Sequence, residues 1–166
     1  MAGFRCSRCD NEHGEPPFSY GSPAPRTWFD IPELERAGRC ELSSDQCIID
    51  GKWYFLLGLL ELPVQGRSQP FAWSVWVSVS EASFRRANEL WHTSGRESEP
   101  PCFGWLQTEL PYPGGTLNLK CRLHTRQVGT RPFVELEPTE HPLALEQRSG
   151  ITLARVQEIA EQILHG

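Results

Sequence analysis

Cys6-Ser-Arg-Cys9, followed four residues later by His13, is the stretch whose residue types and spacing could do chemistry. Two thiolates two residues apart can share a tight turn and face one ion. An imidazole close behind is a third donor of the kind that tetrahedral Zn²⁺ accepts. No second Cys-x-x-Cys follows, so a four-ligand site needs a distant donor. His124, His141 and Cys47 are the candidates, and the spacing does not choose among them. Four protein ligands would make a structural Zn²⁺ site, whereas three ligands plus water would make the geometry used in catalysis.

Other constellations are weaker. A Cys–His nucleophile pair, such as Cys47 with His124 or His141, needs a base within hydrogen-bond reach, and nothing local enforces one. The chain has no Gly-rich phosphate loop, no Gly-x-Ser-x-Gly elbow and no His-Glu-x-x-His helix. Lys120, Arg122, Glu135 and Glu137 read as a salt-bridged, solvated face rather than an acid/base site. Phe103 and Trp105, with Trp73 and Trp76, could line a ligand groove. An aromatic core is the simpler expectation, because aromatic rings dominate core burial.

Composition narrows the function classes. The 166 residues are 39% apolar and 22% charged, as in a folded domain, and one domain spanning 1–166 is expected. Six Trp and eight Phe predict an aromatic-rich core. A formal charge of −5 gives no general attraction to phosphate, which argues against a nucleic-acid partner. No apolar run approaches the roughly 20 residues of a membrane helix; the longest, 53–60, is strand-length. The first residues lack a signal-peptide core, so the expected location is cytoplasmic, with no membrane partner. There the six cysteines are ligands or free thiols rather than disulfides, and Cys40, Cys47, Cys102 and Cys121 are expected to be buried free thiols.

The elements that must position these groups are legible in outline. Residues 1–29 are rich in Gly, Pro and Ser and predict an irregular arm carrying the Cys-x-x-Cys knuckle, ahead of an α+β core over 30–166. Asp30, Pro32 and Glu33 predict a capped helix ending near Gly38. Asp50-Gly51 between 46–49 and 52–62 predicts a hairpin with a two-residue turn. Residues 53–60 are apolar on both faces and should lie centrally. In the run 71–79, Phe71, Trp73, Val75, Val77 and Val79 share one face. Ser80 predicts the cap of a helix over 81–92, followed by a short strand over 102–108 and a turn at 111–115. Residues 116–126 and 131–137 predict a second hairpin around Gly129. Pairing Arg126 with Arg131 sets Arg122 opposite Glu135 and Leu123 opposite Val134, so charges meet on one face and apolar groups on the other. Asn118, Lys120, Arg122 and His124 then form a polar stripe. His141-Pro142 opens a short helix, and Thr152 caps a last one with Val156, Ile159, Ala160, Ile163 and Leu164 on its apolar face.

Several of these stretches stand together in order: Cys6-x-x-Cys9-x-x-x-His13, Cys47-Ile-Ile-Asp50, Phe71-Ala-Trp73-Ser-Val-Trp76-Val-Ser-Val-Ser80, Phe103-Gly-Trp105-Leu106, the run Arg131-Pro-Phe-Val-Glu-Leu-Glu-Pro-Thr-Glu-His141-Pro-Leu-Ala-Leu-Glu-Gln147, and Gly150-Ile151. Over nearly its whole length the chain thereby resembles the uncharacterised bacterial family known as domain of unknown function 2199. Members usually carry Gly directly after the second Cys, where this chain has Asp10, a residue that enters the left-handed region less readily than Gly. The resemblance implies fold boundaries and site candidates, and no activity.

The reading is a single α+β domain: an antiparallel sheet of about five or six strands covered by the 81–92 and C-terminal helices. Its expected function is a zinc-stabilised protein-interaction or ligand-binding module, not an enzyme, whose partner is an unidentified protein or small molecule. Two alternatives accompany it. One is a metal-dependent hydrolase with an open Zn²⁺ held by Cys6, Cys9 and a distal His. The other is an immunity-like or regulatory protein that binds a partner without metal.

Overall fold

The computed structural model describes residues 3–9 and 12–166, with Glu12 and His13 as backbone only. In chain order the strands are β1 (Phe4–Arg5), β2 (Glu12–His13), β3 (Ser19–Gly21), β4 (Cys40–Leu42), β5 (Gln46–Ile49), β6 (Trp53–Leu62), β7 (Phe71–Val79), β8 (Cys102–Leu106), β9 (Lys120–His124) and β10 (Phe133–Leu136). The helices are α1 (Arg26–Asp30), α2 (Glu33–Arg39), α3 (Glu81–Glu89), α4 (Pro142–Ser149) and α5 (Leu153–His165). None is long and apolar enough to cross a membrane.

The frame is the β6–β7 pair, antiparallel from Tyr54↔Val79 to Leu62↔Phe71. From β7 the sheet runs antiparallel through β8, β9 and β10. It then returns to β6, where β10 lies parallel with Phe133 opposite Leu59 and the Leu59 N–H donates to the Pro132 carbonyl at 2.8 Å. Five strands therefore close into a barrel inside an eight-stranded sheet, with β3 added beside β7 and β5–β4 beside β6. This corrects the expected open antiparallel sheet of five or six strands: closure satisfies an edge of β10 that an open sheet would leave unpaired. Two glycines make room for it. A Cβ on Gly58 would stand 2.6 Å from Val134 Cγ2 and 3.1 Å from the Pro132 carbonyl oxygen. A Cβ on Gly104 would stand 2.2 Å from Val77 Cγ1 and 2.9 Å from the Ser78 carbonyl oxygen.

The apolar periodicity explains which face goes where. Phe71, Trp73, Val75, Val77 and Val79 all enter the main core, together with Leu56, Leu60 and Leu62 of β6. The opposite face of β6, Phe55 and Leu57, packs with Cys47, Ile49 and Trp76 in a second cluster covered by Trp28 and Ile31. That second layer is why residues 53–60 are apolar on both sides, and β6 lies centrally, with β5, β7 and β10 as neighbours.

Local details decide the element ends. Asp50 (φ 55°) and Gly51 (φ 64°) make the tight turn, but Ile49 pairs with Trp53, so the loop has three residues and not two. Asp30 ends α1, accepting from Arg26 at 3.4 Å, and Pro32 stands at the start of α2 without a side-chain cap. α2 closes through Arg39, whose guanidinium binds both oxygens of Asp50 at 2.8 and 3.0 Å. Ser80 caps α3 as expected, though the helix stops at Glu89. The second hairpin takes the expected register, Glu135 opposite Arg122 and Val134 opposite Leu123. Its first strand starts only at Lys120, because Asn118 has φ 65°. The arm is more regular than expected: β1 pairs with β2, and β3 joins the main sheet parallel to β7.

α4 and α5 are joined to the barrel by a polar chain. Trp73 Nε1 donates to the Tyr112 hydroxyl at 3.1 Å, which donates to Glu146 Oε1 at 2.6 Å. Arg155 Nε donates to the other Glu146 oxygen at 2.7 Å. Burial, then the Glu146 hydrogen bond, pushes the Tyr112 hydroxyl pKa upward. On α5, Val156 and Ile159 enter the core, while Ile163 and Leu164 remain exposed.

The two glycine environments give opposite expectations. Gly104→Ala overpacks the barrel wall against a stiff β-branched side chain and backbone, and should cost about 1–3 kcal/mol in urea unfolding. Gly38→Ala, in α2 with nothing within 4 Å of its new methyl, should stabilise by about 0.4–1 kcal/mol. Equal effects of the two would contradict the close approach at Gly104.

Candidate functional site

Cys6 and Cys9 lie in the turn that follows β1, and this turn rests on α5. Phe4 and Cys6 are buried against Ala160, with Cys9 half-buried beside them. α5 holds the turn through polar contacts as well. The Ser7 N–H donates to Glu161 Oε1 at 2.9 Å, and the Ser7 hydroxyl donates to Glu161 Oε2 at 2.5 Å. These two bonds lower the Glu161 carboxyl pKa. One helical turn after Glu161, on the same face, comes His165.

His165 Nε2 stands 3.3 Å from Cys6 Sγ, and the donor atoms of Cys6, Cys9 and His165 all lie within 4.8 Å of one another. Around tetrahedral Zn²⁺, with Zn–S about 2.3 Å and Zn–N about 2.0 Å, neighbouring donors sit roughly 3.5–3.8 Å apart. Two sulfurs and one imidazole at this spacing are a donor set that suits zinc, and the triad is a candidate metal site. Its third member, His165, is not among the donors that the sequence spacing suggests. The only hint was an imidazole on α5 four residues after Glu161, and nothing in the sequence tied that helix to the arm.

The other proposed donors go elsewhere. The side chain of His13 lies outside the described residues; its backbone pairs with Phe4. His124 Nε2 binds Glu135 Oε1 at 2.9 Å on the outer face of the barrel. Glu135 thus takes His124 as its partner instead of Arg122, which faces it in register. His141 Nε2 donates to the Gly115 carbonyl at 2.7 Å, and its Nδ1 accepts from the Leu143 N–H at 3.1 Å, capping α4. Cys47 is fully buried beside Trp76, and burial pushes its thiol pKa up to about 12. His124, His141 and Cys47 are thus each engaged by their own packing or hydrogen bonds, and none of them is in the Cys6–Cys9–His165 group. Nor does any of them form a Cys–His nucleophile pair with another.

The thiols and aromatics sort by face. None of the six cysteines is in a disulfide; Cys47 and Cys121 are buried, whereas Cys40 and Cys102 are only half-buried. Trp73 and Trp76 belong to the two core clusters. Phe103 and Trp105 project outward instead, edge to face at 5.1 Å and 51% and 40% exposed, so the four aromatics line no common groove.

A cavity of about 850 Å³ opens at the α3 end of the barrel. α3 with the loop after it forms one wall, and the β9–β10 loop over 125–132 forms the other. Leu56 and Leu123 at its base belong to the barrel core. Arg96 fixes the two walls to each other: it donates to the carbonyls of Arg126 at 2.7 Å, Gln127 at 3.1 Å and Thr130 at 3.1 Å from one side, and to that of Trp91 at 3.2 Å from its own. The cavity shares no residue with the Cys6–Cys9–His165 triad.

A family model described as an uncharacterized protein conserved in bacteria (DUF2199) matches residues 5–151. The matched span includes Cys6, Cys9 and the whole barrel, and stops short of α5 and His165. No curated protein and no solved structure matches the chain. With so much of its length inside the match, the chain belongs to this family of uncharacterized bacterial proteins.

Proposed function

We propose that this chain is a small-molecule-binding module whose two ends are clasped together by a structural zinc ion. The observation that carries the reading is the separation of two features: donors that would hold a metal join the arm to α5, while the large cavity lies at the mouth of the barrel. Concave, largely apolar spaces of this size at barrel mouths are where small molecules bind. Cys6, Cys9 and His165 would hold the ion, and the ion would supply cross-linking there rather than chemistry. Supporting this, Cys6 is fully buried against α5 and Ser7 is bonded to Glu161, so the donors are fixed by packing on both sides.

A second reading rests on a specific observation. Three protein donors leave one corner of a tetrahedron, and His165 is exposed, so water has access to that corner. This is the metal-dependent hydrolase alternative. It requires zinc-dependent hydrolysis that Cys9→Ser abolishes while the melting temperature stays unchanged.

Elemental analysis of reduced, tag-free protein should give about one Zn per chain, with well under 0.1 equivalent in Cys9→Ser and weakened retention in His165→Ala. Chelation should lower the melting temperature of the wild type and expose the arm to trypsin at Arg8. Zinc at a hundred times its dissociation constant should restore about 2.7 kcal/mol of stability. A wild-type protein free of metal, with a melting point indifferent to zinc, would remove the clasp.

Thiol labelling gives an independent check. At pH 8 a thiol with pKa about 12 is thiolate in roughly one molecule in ten thousand, so Cys47 and Cys121 should stay unmodified by iodoacetamide until urea unfolds the barrel. Cys6 and Cys9 should react after chelation and be protected by added zinc. Labelling of Cys6 and Cys9 at the same rate with and without zinc would count against the triad as its site.

A further inference from the structure

We propose that the cavity between α3 and the β9–β10 loop takes an amphipathic anion: an apolar chain or ring that carries one carboxylate or phosphate head. The proposal rests on the small-molecule-binding reading and names the class of molecule.

The apolar half follows from the base and inner wall. Leu56 and Leu123 are core residues in the lining, and Ala87 and Leu90 add apolar surface from the α3 wall. A ligand body there exchanges water for hydrocarbon at about 25 cal/mol per Å² of apolar area. The anionic half follows from the charges. Four arginines, Arg86, Arg96, Arg126 and Arg131, line the cavity against two carboxylates, Asp45 and Glu99. This excess of cations is local, because the whole chain carries a formal charge of −5.

Three of the four arginines have counter-ions. Arg126 binds Glu61 at 2.8 Å, Arg131 binds Asp45 at 2.8 Å and Arg86 binds Glu99 at 2.8 Å. Arg96 has none among the described residues. Each of its hydrogen bonds goes to a backbone carbonyl, and its guanidinium lies over the Trp91 ring at 5.9 Å. Carbonyl dipoles orient the group without cancelling its charge. Four of its five N–H donors are used, which leaves one on Nη1 for a ligand oxygen. A half-buried guanidinium without a counter-anion attracts one more strongly than an exposed group would, since the local dielectric is lower. The tail of the ligand would then lie over Leu90 and Ala87 toward Leu56 and Leu123.

The test uses the zinc-loaded full chain and four ten-carbon probes: decanoate, decyl phosphate, decanol and decyltrimethylammonium, each titrated calorimetrically and by displacement of Nile red. Decanoate or decyl phosphate should bind one to one and at least tenfold more tightly than decanol, and the cation should be weakest. The tighter of the two anions identifies the head group. Ala82→Trp, at an exposed α3 position on the cavity wall, should weaken anion binding at least tenfold with an unchanged melting point. Arg96→Gln should erase the preference for decanoate over decanol, and Arg96→Lys should retain it, which separates charge from the clamping of the loop. Equal affinity for decanol and the two anions would overturn the proposal. Nile red binding that none of the four probes displaces would also overturn it, while leaving the small-molecule reading in place. Failure of Nile red to bind, together with no calorimetric binding of any of the four probes, would defeat both.

Discussion

The rest of this structure depends on the approach of β10 to β6. That contact has few hydrogen bonds, and it needs a residue without a side chain at position 58, because Val134 and the Pro132 carbonyl occupy the space of a Cβ. Once β10 is seated, the β9–β10 loop must cross the open end of the barrel, and there it is fixed by long-range ion pairs. Arg126 reaches Glu61 near the end of β6, and Arg131 reaches Asp45 ahead of β5. Both pairs are partly shielded from solvent, which makes them worth more than freely exposed pairs, though still modest individually. The cavity is thus a consequence of closure: without the returning strand, α3 would have no opposing wall.

Arg96 shows how the second wall is built without a further acid. A guanidinium presents donors in a rigid fork, and a loop whose carbonyls converge can be held by one such group at several points. The loop after α3 and the loop after β9 are therefore tied together at three carbonyls. An ion pair would have held them equally well but would have neutralised the charge that faces the cavity. The same side chain is structural toward the loop and electrostatic toward the space it borders.

Pairing between neighbours in sequence was legible, and pairing between distant segments was not. The register of β9 against β10 followed from matching Arg122 to Glu135 and Leu123 to Val134, because a one-residue slip would have reversed every side chain. The Asp50-Gly51 turn followed from two residues that accept positive φ. Closure of the barrel had no such local signature, since it joins residue 59 to residue 133 through a parallel contact. Residue type alone does not place the helix starts: Asp30 serves Arg26 at the end of α1, and Pro32 starts α2 by its fixed φ. At the candidate site, Cys6 and Cys9 were visible as a pair, but the imidazole that meets them lies 159 residues from Cys6. Periodicity marks which face of α5 is buried and says nothing about what lies against its last turn.

That distance gives the triad its physical meaning. The β1–β2 pair is two residues long on each strand, and such a hairpin is not stable alone. Complete burial of Phe4 contributes about 1.5–3 kcal/mol, while fixing the backbone of each residue costs about 1–2 kcal/mol. The Ser7–Glu161 hydrogen bonds are exposed and compete with water. Burial of Phe4 and the Ser7 hydrogen bonds are each modest contributions to holding this segment on α5. Zinc binding in small zinc-finger peptides is worth about 10–16 kcal/mol, enough to order a segment of this size. An ion shared by Cys6, Cys9 and His165 would close a loop spanning almost the whole chain, and loop-closure entropy grows only logarithmically with loop length. Its effect on the unfolded ensemble would then be that of a long-range cross-link, felt by the barrel as a whole rather than by the arm alone.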